Sequence, residues 1–427
     1  MPAKHIYFIG IGGASLNGIA QVLQQRGFKV SGSDANRSEV TDALIKQGIT
    51  VHIGQKADNI TPDIDEVIIS SAVSDGPGAV EVAAAQKLKI PVHKRTVWWS
   101  RLMAQAKVAV AVAGTHGKTS TTAMLGVILA EAGLDPTVLV GGSVPDFEGT
   151  VRVGGTDCIV VEADEYDKAF YATRPTISII TNIDYDHPDT YPTVKDYTQA
   201  FRRFARLVNK RGGAVIACGD DGATRKALQN WHHRLYWYGN KNQLPGLKTT
   251  IPGEHMLLNA QAAAKAAHLI GVPFATIKRA LAKFKGVERR FTLIGDYKGM
   301  KVYDDFAHHP KEIEAVIKTA KAMTNKPLAV LFQPHQQIRT RKFAPEFAQA
   351  LAQADEVRLL PIYTVLGREQ EEPTDSDEIT KHNPKLKSLS FGDITAWLDE
   401  IAPRVEILLS LGAGNISAEI KKIVHHD

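Results

Sequence analysis

Val108-Ala-Val-Ala-Val-Ala113-Gly114-Thr115-His116-Gly117-Lys118-Thr119-Ser120 is the stretch on which the fold turns. An unbroken apolar run reads as a strand buried on both faces, as in a parallel sheet. A glycine turn follows at once, and Met124, Leu125, Ile128 and Leu129 then recur at helical spacing. Strand, glycine loop and helix make the repeating unit of a doubly wound α/β domain, with the loop amides at a helix N-terminus. Such amides and the Lys118 ammonium can cradle the terminal phosphates of ATP, and a hydroxyl at Thr119 or Ser120 can hold Mg2+. The spacing departs from the general G-x-x-x-x-G-K loop, since only Thr115 and His116 separate the glycines. The competing reading is a lysine that merely opens a helix, where its charge opposes the dipole.

The same grammar extends in both directions. His5–Ile9 is a buried-type strand, Gly10-Ile-Gly12-Gly13-Ala-Ser15 a glycine loop, and Leu16, Ile19, Ala20 and Leu23 a helical apolar face ended by Gly27. Lys29–Asp34 and Glu66–Ser70 read as further strands, the latter running into a Ser70-Ser71 turn. Asp34 closes its strand where an acidic residue can grip a ribose hydroxyl. Ser15 stands where a dinucleotide fingerprint prefers its third glycine, so the loop reads either as a nucleotide site or as a tight packing turn. Downstream strands are expected at Cys158–Val161, Ile177–Thr181 and Ala214–Ala217, then at Lys301–Tyr303, Ala329–Phe332, Val357–Leu360 and Glu406–Leu409. Boundaries near 106 and 292 divide the chain into 1–106, 107–291 and 292–427.

Composition agrees. A chain of 427 residues suits two or three domains, and 44% apolar with 23% charged residues is ordinary for a globular protein. Cys158 and Cys218 are the only cysteines, which excludes a disulfide framework or a cysteine-rich zinc module and fits a reducing cytoplasm. The net charge of +5 is spread without the like-charge runs of nucleic-acid arms. No apolar stretch reaches the ~18 residues of a membrane span, and glycines interrupt the first apolar run too early for a signal peptide.

Polar clusters follow the expected strands. Glu162, Asp164, Glu165 and Asp167 come after one strand, and carboxylates there suit Mg2+ beside a phosphate loop, unless they form a solvated turn. Thr181-Asn-Ile-Asp184-Tyr-Asp186-His187-Pro-Asp189 offers His187 as a metal ligand, an oriented base or a structural histidine. Asp304-Asp305-Phe-Ala-His308-His309-Pro310 suits a substrate amine or ATP, with Asp304 or His309 capping a helix that Pro310 begins. Phe332-Gln-Pro-His335 with Arg339 and Arg341 adds guanidinium forks for carboxylate or phosphate oxygens.

Taken together, GIGGASLNGIA (10–20), VSGSD (30–34), AGTHGKTST (113–121), VEADEYD (161–167), TNIDYDHPD (181–189), GVERRF (286–291), DDFAHHP (304–310), FQPHQQIRTR (332–341) and GAGNI (412–416) resemble the Mur ligase family of bacterial cell-wall synthesis. The resemblance implies three α/β domains: a Rossmann-like one for UDP-sugar, a central ATPase and a Rossmann-like one for the amino acid, with hinges near 106 and 292. It implies ATP-dependent joining of L-alanine to the lactyl carboxylate of UDP-N-acetylmuramate through an acyl phosphate. It also implies small-molecule partners only, no nucleic acid, no membrane insertion, and a monomer or homodimer.

Carried onto this sequence, the family pattern assigns Gly114, Thr115, His116, Gly117, Lys118, Thr119, Ser120, Asn259, Arg289, Arg290 and Asp305 to ATP. Thr119 and Glu162 would hold one Mg2+ and His187 a second; His308 and Arg339 would face the amino acid and the reacting carboxylate. Gly10, Gly12, Gly13, Asp34 and Ser70 would surround the UDP moiety. Met256, Gln336 and Asn415 differ from the usual asparagine, arginine and aspartate of the family, and Phe201-Arg202 stands where sister ligases carry a carbamylated lysine, so no carbamate is expected. Three other readings are a recycling ligase that adds a murein tripeptide, a nicotinamide dehydrogenase built on the first loop and Asp34, and an inactive nucleotide-binding protein.

Overall fold

The computed structural model describes residues 3–70, 76–364 and 374–424; Ser71 lies outside them. The chain separates into two compact units, Met1–Thr250 with Leu258–Lys285, and Ile251–Leu257 with Gly286–Asp427.

The first unit contains two sheets. The first comprises β1 (His5–Ile9), β2 (Lys29–Asp34), β3 (Thr50–Ile53), β4 (Glu66–Ile69) and β5 (Val92–Lys94), all parallel, in the order β3-β2-β1-β4-β5. Order reverses beside β1, which is where a doubly wound sheet leaves a crevice at its carboxyl edge, and Gly10–Gly13 lies there. The second sheet comprises β6 (Val108–Ala113), β7 (Thr137–Val144), β8 (Gly149–Arg152), β9 (Cys158–Glu162), β10 (Ile177–Ile180), β11 (Ala214–Cys218) and β12 (Leu235–Tyr238). Its order is β12-β11-β10-β6-β9-β7-β8. Central β6 therefore has β10 on one side and β9 on the other, so three strand ends bring their loops together at one edge.

The second unit holds β13 (Thr292–Tyr297), β14 (Met300–Asp305), β15 (Leu328–Phe332), β16 (Glu356–Leu359), β17 (Lys387–Ser388) and β18 (Ile407–Leu411), ordered β13-β14-β18-β15-β16-β17. The carboxyl ends of β14, β18 and β15 are neighbours, which gathers Asp304, Asp305, Gly412 and Gln333.

The strands expected from unbroken apolar runs are present to within a residue or two. β3, β5, β7, β8, β12, β13 and β17 were not expected. Three of them, β7, β8 and β13, belong to antiparallel edge hairpins, β7–β8 and β13–β14, on otherwise parallel sheets. Among the described residues no helix is long and apolar enough to cross a membrane.

Candidate active site

Lys118 begins the helix Lys118–Glu131, and Gly117 caps it in the left-handed region at φ +78°. The His116 backbone and the Thr115 side chain are fixed by the residues just beyond β10. His116 N donates to Asn182 Oδ1 (2.9 Å), while Thr181 Oγ1 (2.6 Å) and Asn182 Nδ2 (3.0 Å) donate to His116 O. Thr115 Oγ1 bonds the Asp184 carbonyl at 2.7 Å and the Tyr197 hydroxyl at 2.8 Å. The His116 ring lies 3.0 Å from Asp184 Oδ2. A Cβ added at Gly114 would stand 1.8 Å from Thr181 Oγ1, and one at Gly117 would stand 2.2 Å from Asn259 Oδ1. Asn259 is thus packed against Gly117 of the loop.

Lys118 Nζ donates to the carbonyls of Gly114 (2.6 Å) and Thr115 (3.1 Å) and lies 2.9 Å from Glu165 Oε2. Burial opposes its charge, but Glu165, Asp164 and Glu162 outweigh that and hold the ammonium above its ordinary pKa. Burial likewise pushes Glu165 up, and Lys118 and His187 pull it below the carboxylate range. Glu165, only 1% exposed, also lies 3.6 Å from His187 Nε2. Thr119 Oγ1 donates to Glu162 Oε1 at 2.9 Å, and the other Glu162 oxygen accepts from Gly141 N.

The loop thus faces two donor groups: Thr119 with Glu162, and Asp164, Glu165 and His187, whose ligand atoms lie within 4.8 Å of one another. Carboxylates beside a hydroxyl fit a hard, oxygen-seeking cation such as Mg2+. Sequence alone groups Glu165 with Glu162, Asp164 and Asp167 without ranking them. Four carboxylates in one short run do not reveal which turns inward; here Glu165 does, and Asp167 pairs outward with Lys94. Phe201 is wholly buried in the core.

At the first loop, Gly10 N and Ile11 N both donate to Ser33 O. Asp34 Oδ2 accepts from Gly12 N at 2.9 Å. The carboxylate expected to face a ribose is thus engaged with the loop itself, and a Cβ at Gly12 would stand 2.9 Å from it. Gly13 opens the helix Ala14–Gln25 without a side-chain cap. Ser70 follows β4 and is half-buried.

In the second unit, Arg289 and Arg290 place their guanidinium carbons 4.8 and 5.3 Å from the Phe306 ring centre. Arg289 Nε is 3.5 Å from Asp304 Oδ2, which also accepts from Ser417 Oγ at 2.6 Å. Asp305 accepts from Phe291 N and Ala307 N, both at 2.8 Å. His309 caps the helix Pro310–Lys321, with Glu312 Oε2 accepting from the amides of His308 and His309. His308 Nδ1 is 3.0 Å from Phe306 O. A carbonyl only accepts, so Nδ1 carries the proton and the neutral ring bears its lone pair on Nε2. Arg339 is buried and donates from Nη1 to His335 Nδ1 at 3.2 Å. Gln333 Nε2 donates to Asn415 Oδ1 (2.8 Å), and Ile416 N donates to Gln333 Oε1 (3.0 Å), so an amide at 415 serves as acceptor. Met256 is a buried apolar side chain.

Asp305 yields a pH prediction. Burial pushes its carboxyl up to about 6, although Arg290 and the two amides pull the other way. A raised folded-state pKa means that the stabilisation is complete below the unfolded value and is lost as pH climbs through about 6. Relative to Asp305→Asn, the wild type should lose on the order of 2 kcal/mol between pH 4 and 7 in urea unfolding. A difference that does not change with pH would contradict the raised value.

Comparison with known proteins converges on one family. Residues 5–107 match the Mur ligase family catalytic domain, 112–248 the Mur ligase middle domain and 289–408 the Mur ligase glutamate ligase domain. The UDP-N-acetylmuramate–L-alanine ligase of Clostridium kluyveri is 36% identical over 442 aligned residues, covering 97% of this chain and 96% of the relative. The crystal structure of the UDP-N-acetylmuramate-alanine ligase of Thermotoga maritima superposes with a TM-score of 0.78 at 28% identity, covering 98% of both chains. A murein peptide ligase from Psychrobacter arcticus gives 0.72 at 25% identity, covering 99% of this chain and 98% of that one. With family matches in all three α/β segments and a curated relative aligned nearly end to end, this chain belongs to the Mur ligase family.

Proposed function

We propose that the protein joins L-alanine to the lactyl carboxylate of UDP-N-acetylmuramate with cleavage of ATP, in the cytoplasm, as a step in peptidoglycan precursor synthesis. The observation that carries this reading is the convergence at the end of β6 of one ammonium, Lys118, with the Thr119–Glu162 pair. The named relatives supply the substrate class. We assign 1–106 to the UDP-sugar, 107–291 to ATP and 292–427 to the amino acid.

A carboxylate is a poor electrophile because its leaving group would be oxide. Attack of a lactyl carboxylate oxygen on the γ-phosphorus forms a C–O–P bond and releases ADP. The amine nitrogen then attacks the acyl carbon, and inorganic phosphate leaves. The chain supplies position and charge neutralisation more than covalent chemistry. Lys118 exchanges Glu165 and its own loop carbonyls for phosphate oxygens. Thr119 with Glu162, and His187 with Asp164 and Glu165, would hold Mg2+, which supplies further neutralisation of the phosphate charge. Arg289, Arg290 and Asp305 serve ATP, and Arg339 the reacting carboxylate. His308 Nε2 is a fitting acceptor for the proton the amine must lose. Gly10, Gly12, Gly13, Asp34 and Ser70 frame the UDP moiety.

Phosphate release with UDP-N-acetylmuramate, ATP, Mg2+ and a panel of L-alanine, glycine, L-serine and a murein tripeptide tests the reading. Release is expected only with all components and is fastest with L-alanine; turnover with the tripeptide alone would reassign the protein as a recycling ligase. His187→Ala should raise the Mg2+ concentration for half-maximal rate by about tenfold or more. An unchanged requirement would remove His187 from the metal.

A further inference from the structure

A cationic concavity whose lining shares no residue with the phosphate loop lies on the first unit. It is a cavity of about 790 Å3 walled by the turn that carries Lys168 and Tyr171, by Tyr191, and by the helix Val194–Ala205 with the residue that follows it. Arg202, Arg203 and Arg206 all line it. Asp196 is the sole carboxylate of its wall, and its Oδ2 and amide are already bonded to Thr193.

Four cations thus face one engaged carboxylate, and no ion pair among the described residues neutralises them. The contacts of Lys168 and Arg203 are with rings: Lys168 Nζ sits 6.0 Å from the centre of Tyr191, and the Arg203 guanidinium 4.4 Å from that of Tyr171. Arg202 Nε is buried without a hydrogen-bond partner. Gathering uncompensated like charge in a concavity is unfavourable unless an anion repays it. Guanidinium forks laid on aromatic faces are suited to phosphate and carboxylate oxygens.

The segment bearing Lys168 is also held in an unusual conformation. Asp167 and Lys168 both occupy the left-handed region, at φ +52° and +55°. Such strain persists only where surrounding contacts impose it. Here Lys168 N and Tyr191 Oη both donate to the Glu165 carbonyl, at 3.0 and 2.6 Å. The cavity wall is therefore tied to the backbone of the residue that pairs with Lys118.

We propose that this cavity binds a small, multiply charged anion bearing phosphate or carboxylate groups, at a site separate from the phosphate loop. Its position behind Glu165 would let occupancy bias the Glu165 turn.

Calorimetric titration of the full chain with pyrophosphate and, separately, citrate tests it. The background is Lys118→Ala, which disables the phosphate loop. Binding of either probe is expected there, and a preference between them identifies the head group. Arg203→Glu/Arg206→Glu in the same background should weaken that binding by about tenfold or more. With Lys118 intact, the double variant should keep wild-type phosphate release and an unchanged melting temperature. Absence of binding in Lys118→Ala, or binding unaffected by the two glutamates, would overturn the proposal. Loss of ligase turnover in a folded double variant would overturn it too, because the cavity would then belong to the reaction's own site.

Discussion

Lys118→Ala should lower phosphate release by about a thousandfold, the scale on which removing one preorganised charge-stabilising group acts. The same substitution should cost stability. Glu165 is 1% exposed and its main counter-charge is Lys118, 2.9 Å away. Deleting one member of a buried pair strands the other, at about 3 kcal/mol. The two losses have different causes and separate cleanly. Adding Glu165→Gln to Lys118→Ala should recover most of the stability in urea unfolding, because no buried charge is left uncompensated. It should recover none of the turnover, because the ammonium is still missing. Wild-type phosphate release by Lys118→Ala would take the lysine out of the chemistry, and a double variant as unstable as the single one would refute the stranded-charge account.

Gly114→Ala should be nearly as damaging, for a steric reason. Gly114 has φ +145°, and its added Cβ would lie 1.8 Å from Thr181 Oγ1 and 3.1 Å from Thr181 N. Thr181 is buried and its hydroxyl holds the His116 carbonyl. The clash therefore falls on the strand end that shapes the loop. Backbone strain and overpacking together should cost about 3 kcal/mol, and a displacement of the loop by about 1 Å should cut turnover about a hundredfold. Turnover within a few-fold of wild type, with an unchanged melting temperature, would show that the loop tolerates a methyl group there.

Most strands and the loops that follow them could be read from the sequence because a strand buried on both faces has no polar interruption. β6 and β15 are of this type, and β1, β10 and β18 come close, each with a single polar residue, His5, Ser178 and Ser410. The strands that escaped are short or lie toward sheet edges. β3 is Thr-Val-His-Ile with no buried residue, and β17 is Lys-Ser, exposed throughout; side chains of that kind carry little periodic signal. Lys118, Thr119 and Glu162 were legible because they adjoin such strands. Glu165 and Asp184 were not ranked above their neighbours, since their roles depend on which way a turn faces after the chain has folded. Asp34 shows the converse: its spacing suggested a ribose partner, and the nearest donor proved to be the Gly12 amide.

The bonds that pin residues 115 and 116 to Asn182, Thr181, Asp184 and Tyr197 have a thermodynamic corollary. A loop already fastened by its neighbours loses little conformational freedom when a nucleotide arrives. Under the proposed function, recognition resembles insertion into a finished mould, and the principal local change would be one side chain, at position 118, swapping an internal carboxylate for an incoming oxyanion.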